Sequence, residues 1–153
     1  RGLRPEQIQG FGLGVMNARA AYFAKRDGRL ASFLTEGRSF GPHGTGLFIA
    51  NSVENYDETL SQELTQLTVT ANLKMREIGF KPYVAPALSS GALSLLLTLR
   101  GEWHCGSVFL DGVYMGVKNR YTPAGVETEL LPHIPDQLLG HIREAADHLK
   151  TII

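Results

Sequence analysis

The most regular hydrophobic pattern in the chain is also the one that most constrains its fold. Between residues 56 and 78, apolar side chains recur every three or four positions, at Leu60, Leu64, Leu67, Ala71, Met75 and Ile78. This spacing places them on one face of a helix. The pattern predicts a long amphipathic helix over 56–78, ended by Gly79, whose apolar face must pack against a core.

The other periodic segments predict a mixed helical and β chain. Helical spacing predicts further helices over about 13–26, 83–100 and 135–150, and the second of these is apolar on most faces, so we expect it to be central and buried. A hairpin is predicted over 107–110 and 114–117, with its turn at Asp111 and Gly112. Apolar runs at 30–34 and 47–50 predict two more strands. The order of elements predicts a single α+β domain over 1–153.

Composition excludes several classes of partner. Fifteen basic residues balance fifteen acidic ones, so the chain has no net field that would attract nucleic acid or an anionic membrane. The longest apolar runs are too short to span a bilayer. The single cysteine, Cys105, has no disulfide partner in the chain, so we expect a packing residue and a cytoplasmic protein. Because the first residue is Arg1 rather than Met, we expect a piece of a longer protein.

A run of glycines, Gly10, Gly12 and Gly14, is similar at first sight to a dinucleotide-binding turn. The pattern G-x-G-x-x-G would require glycine where Val15 stands, and no β-branched strand precedes the run. We therefore expect no cofactor-binding residue in this domain.

Two polar residues stand out as candidates for function. Arg19 lies on the helix over 13–26, where an arginine is either a surface residue with a buried stem or a binding residue. His43 lies in a glycine-rich loop, where it is either a solvated bystander or a group that a ligand can approach. The other four histidines lack the spacing of metal ligands, so we expect no metal site. They are His104, His133, His141 and His148.

A resemblance to lactate and malate dehydrogenases connects the two candidates. The segments RPEQIQGFGLGVMNARAAYF and FGPHGTG resemble the start and the active-site loop of the catalytic domain in that family. The 24 positions between Arg19 and His43 resemble the spacing that the family keeps between its substrate-binding arginine and its proton-transfer histidine. The segments IGFKPYVAPALSSGALSLL and SVFLDGVYMGVKNRYTPAG resemble a helix entry and a hairpin of the same domain.

The resemblance implies a fold, a reaction and roles for the two residues. The implied fold is that of the C-terminal domain of these dehydrogenases, a twisted antiparallel sheet packed by long helices. Arg19 would bind the carboxylate of a 2-hydroxy or 2-oxo acid, and His43 would exchange the hydroxyl proton. NAD would be bound by an amino-terminal Rossmann domain that this chain lacks, and the protein would form a homo-oligomer.

The chain departs from the family at three positions. The family has an aspartate three residues before the arginine, which orients the histidine, but this chain has Met16. Neither Asn17 nor Asp27 has the spacing to substitute for it. Thr45 replaces an acidic residue after the histidine. Lys81 stands where the family has a small or hydroxyl residue, so it is either a substrate-binding cation or an ordinary surface residue.

Two functions from different classes remain open. The first is an NAD-dependent 2-hydroxy acid dehydrogenase in which Arg19, His43 and Lys81 contact the substrate. The alternative is a catalytically retired member of the family that acts in oligomerisation or ligand sensing. The loss of the aspartate at Met16 favours the alternative, whereas the retained Arg19 and His43 favour the enzyme.

Overall fold

The computed structural model describes residues 2–79 and 85–152, and of residues 85–88 only the backbone. Lys81, which the sequence analysis assigned to the substrate site, lies outside the described residues. The helices are α1 (Gly12–Ala24), α2 (Phe33–Glu36), α3 (Glu58–Glu77), α4 (Ala85–Arg100) and α5 (Asp136–Lys150). The strands are β1 (Arg38–Phe40), β2 (Phe48–Ala50), β3 (His104–Leu110), β4 (Val113–Thr122) and β5 (Gly125–Thr128). Short 3-10 helices cover Pro5–Gln7 and Gly28–Leu30.

The three long amphipathic helices and the hairpin confirm the sequence predictions. Helices α1, α3 and α5 lie within a few residues of their predicted limits. Asp57 caps α3, where its side chain accepts a hydrogen bond from the backbone N–H of Leu60 at 2.8 Å. In the hairpin, Asp111 and Gly112 both have positive φ, of 47° and 86°, as a tight two-residue turn between antiparallel strands requires.

The strands form two antiparallel sheets. Strands β3, β4 and β5 make one sheet in that order, and β1 pairs with β2 in the other. The two sheets meet where the backbone N–H of Gly41, just after β1, donates to the carbonyl of Gly116 on β4 at 3.0 Å. The antiparallel sheets and long helices confirm the predicted α+β class.

The strand predicted over 30–34 is wrong. Residues Gly28–Leu30 form a 3-10 helix and Phe33–Glu36 form α2, so this segment is helical. Leu30 and Phe33 are buried, while Leu34 is exposed, and a spacing of three is helical spacing. The strand of this region, β1, comes later and was missed.

The predicted central position of the helix over 83–100 is also wrong. Four leucines on α4 are exposed, namely Leu93, Leu95, Leu96 and Leu99. The central helix is instead α1, which contacts α3, α4, β1 and β3. An apolar composition predicted burial for α4, but it could not show which neighbours would cover each face.

Two hydrophobic clusters form the core. The first surrounds α1. Its side chains come from α1, from the segment between α1 and β1, from β2 and from α3, and they include Leu13, Met16, Leu30, Ile49 and Leu64. The second lies between the sheets and α5, where it includes Phe40, Met115 and Leu138. Cys105 is 7% exposed and belongs to the first cluster, which confirms its prediction as a packing residue. Burial raises the pKa of its thiol.

Within the described part of the chain, no helix is both long enough and apolar enough to cross a bilayer.

We predict that Thr68→Val stabilises the chain. Thr68 is fully buried on α3, and its hydroxyl oxygen has no hydrogen-bond partner among the described residues. Replacing an unpaired buried hydroxyl with a methyl group of the same shape should raise the free energy of unfolding by about 1 kcal/mol. Urea denaturation measures this change.

Thr70→Val on the same helix is the matched control. The Thr70 hydroxyl donates to the carbonyl of Gln66 at 2.7 Å in an exposed position, so its loss should not stabilise the chain. Equal unfolding midpoints for Thr68→Val and the wild type would contradict the account of Thr68.

Candidate functional site

His43 lies in the seven-residue loop that joins β1 to β2, and the ends of this loop are fixed by glycines. Gly41 and Gly46 have φ of 88° and 91°, a region that favours glycine. A Cβ atom on Gly41 would lie 2.4 Å from the carbonyl oxygen of Gly46, so the two ends of the loop touch. The backbone N–H of Leu47 donates to the carbonyl of Gly44 at 3.0 Å. The loop therefore holds His43 in a defined position at the surface.

The imidazole of His43 rests on the first turn of α1. Its Nδ1 atom lies 2.7 Å from the carbonyl oxygen of Gly12, the first residue of that helix. A carbonyl oxygen can only accept, so Nδ1 donates in this hydrogen bond. The second ring nitrogen, Nε2, is left for other partners.

Arg19 is a half-buried cation on the same helix. Its recorded hydrogen bond runs from Nη1 to the sulfur of Met16 at 3.8 Å, and a thioether is a weak acceptor. Among the described residues no carboxylate forms an ion pair with it, and partial burial lowers the pKa of its guanidinium. The buried Arg38 differs, because Glu129 accepts its Nη2 hydrogen bond at 2.8 Å and raises its pKa. Arg19 therefore keeps unused donors.

Helix geometry brings the two candidates toward each other. Gly12, Met16 and Arg19 stand at positions i, i+4 and i+7, which share one face of a helix. The contact with Met16 shows that the Arg19 side chain leans toward the amino end of α1, where His43 lies. At 1.5 Å per residue, Gly12 and Met16 are about 6 Å apart along the axis.

Three side chains on or just after α1, those of Met16, Asn17 and Asp27, have partners other than His43. Met16 is 5% exposed and packs in the core cluster around α1, with its sulfur on Arg19. Asn17 accepts a hydrogen bond from the hydroxyl of Ser39 at 3.0 Å. Asp27 caps a 3-10 helix and pairs with Arg29. Neither Asn17 nor Asp27 takes the place of the missing aspartate, as the sequence analysis expected.

The glycine run at the start of α1 is explained by close packing. A Cβ atom on Gly10 would lie 3.0 Å from the Cβ of Ser107, and one on Gly14 would lie 1.8 Å from the hydroxyl oxygen of Ser94. A Cβ atom on Gly12 would lie 3.1 Å from the Cβ of His43. Each glycine lets α1 approach a different neighbour, on β3, α4 and the His43 loop. The run therefore has a packing role.

Other buried polar groups serve the fold. His104 is joined to the Thr98 hydroxyl on α4 by its Nε2 atom at 2.7 Å, and burial lowers its pKa. The Asn119 amide donates to the carbonyl of Gly106 at 3.0 Å and accepts from Gln9 at 2.9 Å. Over the described part of the chain, no three His, Cys, Asp or Glu side chains come close enough to hold a metal ion.

A surface cavity of about 580 Å³ lies apart from Arg19 and His43. Its walls come from the amino-terminal segment, the end of α4 and strands β4 and β5, and they include Gln9, Leu99, Tyr121 and Val126. The cavity is open, and Gln9, one of its polar wall residues, is already bonded to Asn119. We therefore place the candidate site at Arg19 and His43, where charge and geometry converge on an exposed surface.

The carbonyl of Gly12 is the site feature that the sequence analysis missed. A backbone acceptor has no side chain that a motif could reveal. The available signal was the glycine at position 12, which indicated a close approach without showing that His43 makes it.

Comparison with solved structures finds the same fold in part of several malate and lactate dehydrogenases. No family model and no curated protein matches the chain. The chain is similar to the malate dehydrogenase of Aeropyrum pernix, with 20% identity and a TM-score of 0.72. It is similar to the malate dehydrogenase of Archaeoglobus fulgidus in complex with NADH, with 18% identity and a TM-score of 0.71. A third similar structure is MGS-M5, a lactate dehydrogenase from a Medee basin deep-sea metagenome library, with 15% identity and a TM-score of 0.74.

The alignments cover nearly the whole of this chain but only part of each solved structure. They include 98% of this chain in all three cases, and 56%, 53% and 55% of the respective dehydrogenases. The chain therefore spans about half the length of these proteins. Its α+β architecture is the fold of the lactate/malate dehydrogenase C-terminal domain.

Proposed function

We propose that the chain is the catalytic domain of an NAD-dependent 2-hydroxy acid dehydrogenase of the lactate/malate type. The observation that carries the proposal is Arg19, a half-buried cation without a carboxylate partner among the described residues, which leans toward a histidine on the same helix face. Removing a cation from water without pairing it costs free energy. An anionic ligand that occupies the site would recover that cost.

Arg19 suits the carboxylate of a small acid. The guanidinium is planar and can donate two parallel hydrogen bonds to the two carboxylate oxygens. The weak bond to Met16 leaves these donors available. Gly12 and Arg19 are about 10.5 Å apart along the axis of α1, and the contact with Met16 directs the Arg19 side chain back toward His43.

His43 suits the proton transfer of the same reaction. Oxidation of a 2-hydroxy acid removes the hydroxyl proton and transfers a hydride from the carbon. Imidazole takes up and releases protons near neutral pH, so Nε2 can accept the hydroxyl proton, and in the reverse reaction it returns a proton to the carbonyl oxygen. Its exposure at the surface leaves room for a substrate at a junction between two domains.

NAD belongs to the proposal through a second domain. When bound, NAD supplies the hydride acceptor of the oxidation. The space beside Gly10, Gly12 and Gly14 is occupied by Ser107, His43 and Ser94, so these glycines do not suit the binding of its phosphates. We infer that an amino-terminal Rossmann domain holds NAD against the face of this chain that carries His43.

A retired family member is the second candidate. Met16 belongs to the core and contacts Arg19, so the site lacks a carboxylate beside His43 in the described residues. A relative of this kind would keep the fold and bind a ligand or a second copy without turnover. The activity of the Arg19 and His43 variants separates the two candidates.

Self-association forms part of the proposal. The carboxyl half of α3 exposes Val69, Leu73 and Met75, and Ile78 directly after the helix is exposed as well. Helix α4 exposes four leucines. Large apolar surface of this kind is typical of faces that another protein surface covers.

The first prediction concerns the pair that defines the reaction, measured in a two-domain protein that joins this chain to its nucleotide-binding domain. Arg19→Lys should lower kcat/KM for 2-oxo acids by about 10- to 100-fold, because a point charge loses charge-assisted bonds worth about 1.5–3 kcal/mol. His43→Asn should lower kcat by about 100-fold or more with KM largely kept, because general acid–base catalysis is lost. Steady-state oxidation of NADH measures both.

Arg29→Lys is the matched control, because Arg29 is an exposed arginine paired with Asp27 and Glu63 and should tolerate the change. Unchanged rates in Arg19→Lys and His43→Asn, across several 2-oxo acids, would contradict the enzyme and favour the retired relative.

The second prediction concerns NADH and the chain alone. We expect the 153-residue chain to bind NADH with a Kd of about 1 mM or weaker, because the glycine run at residues 10–14 departs from the G-x-G-x-x-G pattern at Val15 and packs against Ser107, His43 and Ser94. Isothermal titration calorimetry measures this affinity. Binding in the micromolar range would contradict the assignment of NAD to another domain.

The third prediction concerns assembly. The chain should self-associate in sedimentation velocity as its concentration rises, and Leu99→Gln on α4 should weaken the association, because this leucine is 77% exposed. Leu130→Gln, in a loop and 90% exposed, is the control for a change of hydrophobicity outside the helices. A single monomeric species at every concentration would count against the proposal.

A further inference from the structure

The hydrogen bond between His43 and Gly12 gives the backbone a role that a carboxylate would otherwise have. We propose that the carbonyl oxygen of Gly12 orients His43 and fixes its proton on Nδ1, so that Nε2 is the atom that exchanges the substrate proton. The inference rests on the proposed function, and it makes Gly12 a positioning residue for that reaction.

The chemistry of the two atoms determines the tautomer. Nδ1 lies 2.7 Å from the Gly12 oxygen, and that oxygen has no proton to give. In neutral imidazole one nitrogen carries the proton and the other accepts, so a proton on Nδ1 leaves the lone pair on Nε2. This is the form that a base for the hydroxyl proton requires.

The same hydrogen bond holds in both protonation states of the ring. In the imidazolium form both nitrogens donate, so Nδ1 continues to donate to the Gly12 oxygen while Nε2 carries the transferred proton. A carbonyl oxygen has a second lone pair, so it can accept from His43 as well as within α1. The ring therefore needs no rotation between proton uptake and proton release.

Glycine at position 12 is what permits this contact. A Cβ atom there would lie 3.1 Å from the Cβ of His43 and 3.3 Å from Nδ1, which is closer than side chains ordinarily pack. From the opposite side, Gly41 ties the loop to β4 through its hydrogen bond to Gly116. His43 is thus held between a backbone oxygen and a loop with fixed ends.

Side chains that could compete for the role are committed elsewhere. Met16 packs in the core and contacts Arg19, and the Asn17 amide oxygen accepts from Ser39. The role that the resemblance gives to an aspartate, orienting the histidine, falls here to the Gly12 oxygen.

The tautomer of His43 can be measured directly. In the 153-residue chain labelled with 15N at histidine, long-range 1H–15N correlation spectra recorded about two pH units above the ordinary imidazole pKa distinguish a protonated Nδ1 from a protonated Nε2. We expect Nδ1 to carry the proton in His43, whereas solvated histidine side chains favour the proton on Nε2. The His43→Asn variant assigns the signal.

Gly12→Ala tests the contact itself. The added methyl group must push the ring away by a few tenths of an ångström, so the His43 signals should move toward the values of solvated histidine. Gly140→Ala is the matched control, because Gly140 is also helical and an added Cβ there meets no atom within 4 Å. In the two-domain protein, Gly12→Ala should lower kcat by about tenfold or more with KM kept, since misplacement by 1 Å can cost about 100-fold.

The outcomes separate this inference from the proposed function. A proton on Nε2 in the unsubstituted chain, or His43 signals that Gly12→Ala leaves unchanged, would overturn the role of Gly12 even if the two-domain protein is active. A proton on Nδ1 that moves in Gly12→Ala supports the role of Gly12, and it needs neither substrate nor cofactor. A loss of the proposed function would appear separately, as unchanged turnover in the Arg19 and His43 variants.

Discussion

The close approach of the first turn of α1 to its neighbours is the constraint on which the site depends. Gly12 lies against the His43 loop, and Gly14 lies against Ser94 on α4. A larger residue at either position would displace the neighbour that it meets. Close packing leaves little room to relax, so the position of α1 is transmitted to the groups that rest on it. The same turn that closes the core therefore sets the distance between His43 and the carboxyl half of α1.

The buried Arg38 and the half-buried Arg19 differ in their hydrogen-bond partners. The buried Arg38 is neutralised by Glu129, as a structural cation in a protein interior ordinarily is. Arg19 is half-buried on a weak thioether acceptor and keeps donors for an anion. The contrast between the two arginines distinguishes a residue that holds the fold from one that is suited to a ligand. The neighbour of Arg19 on α1 is the uncharged Met16, so no carboxylate at that position competes with an anion for the guanidinium.

The sequence predicted the elements that depend on local hydrophobic periodicity. It did not predict correctly the features that depend on packing against distant parts of the chain. Helix α3 and the β3–β4 hairpin followed from hydrophobic spacing and from the turn at Asp111, because both signals lie within the segment itself. Residues 30–34 were predicted as a strand, but they lie in a helical segment. Helix α4 was predicted to be central although Leu99 is exposed, because burial depends on which other elements pack against the helix. Arg19 and His43 were singled out by their positions in the sequence and connected by a resemblance, whereas the Gly12 acceptor is a backbone atom that only the folded structure shows.

The most direct test is a crystal structure of this chain joined to the proposed nucleotide-binding domain, with NADH and oxamate, an unreactive analogue of a 2-oxo acid. We expect both carboxylate oxygens of oxamate to accept hydrogen bonds from the Arg19 guanidinium, and its amide carbonyl oxygen to lie within about 2.6–3.2 Å of Nε2 of His43. Nδ1 should remain on the Gly12 oxygen. Oxamate bound away from Arg19, or a complex in which Arg19 pairs with a carboxylate of the protein instead, would contradict the central claim.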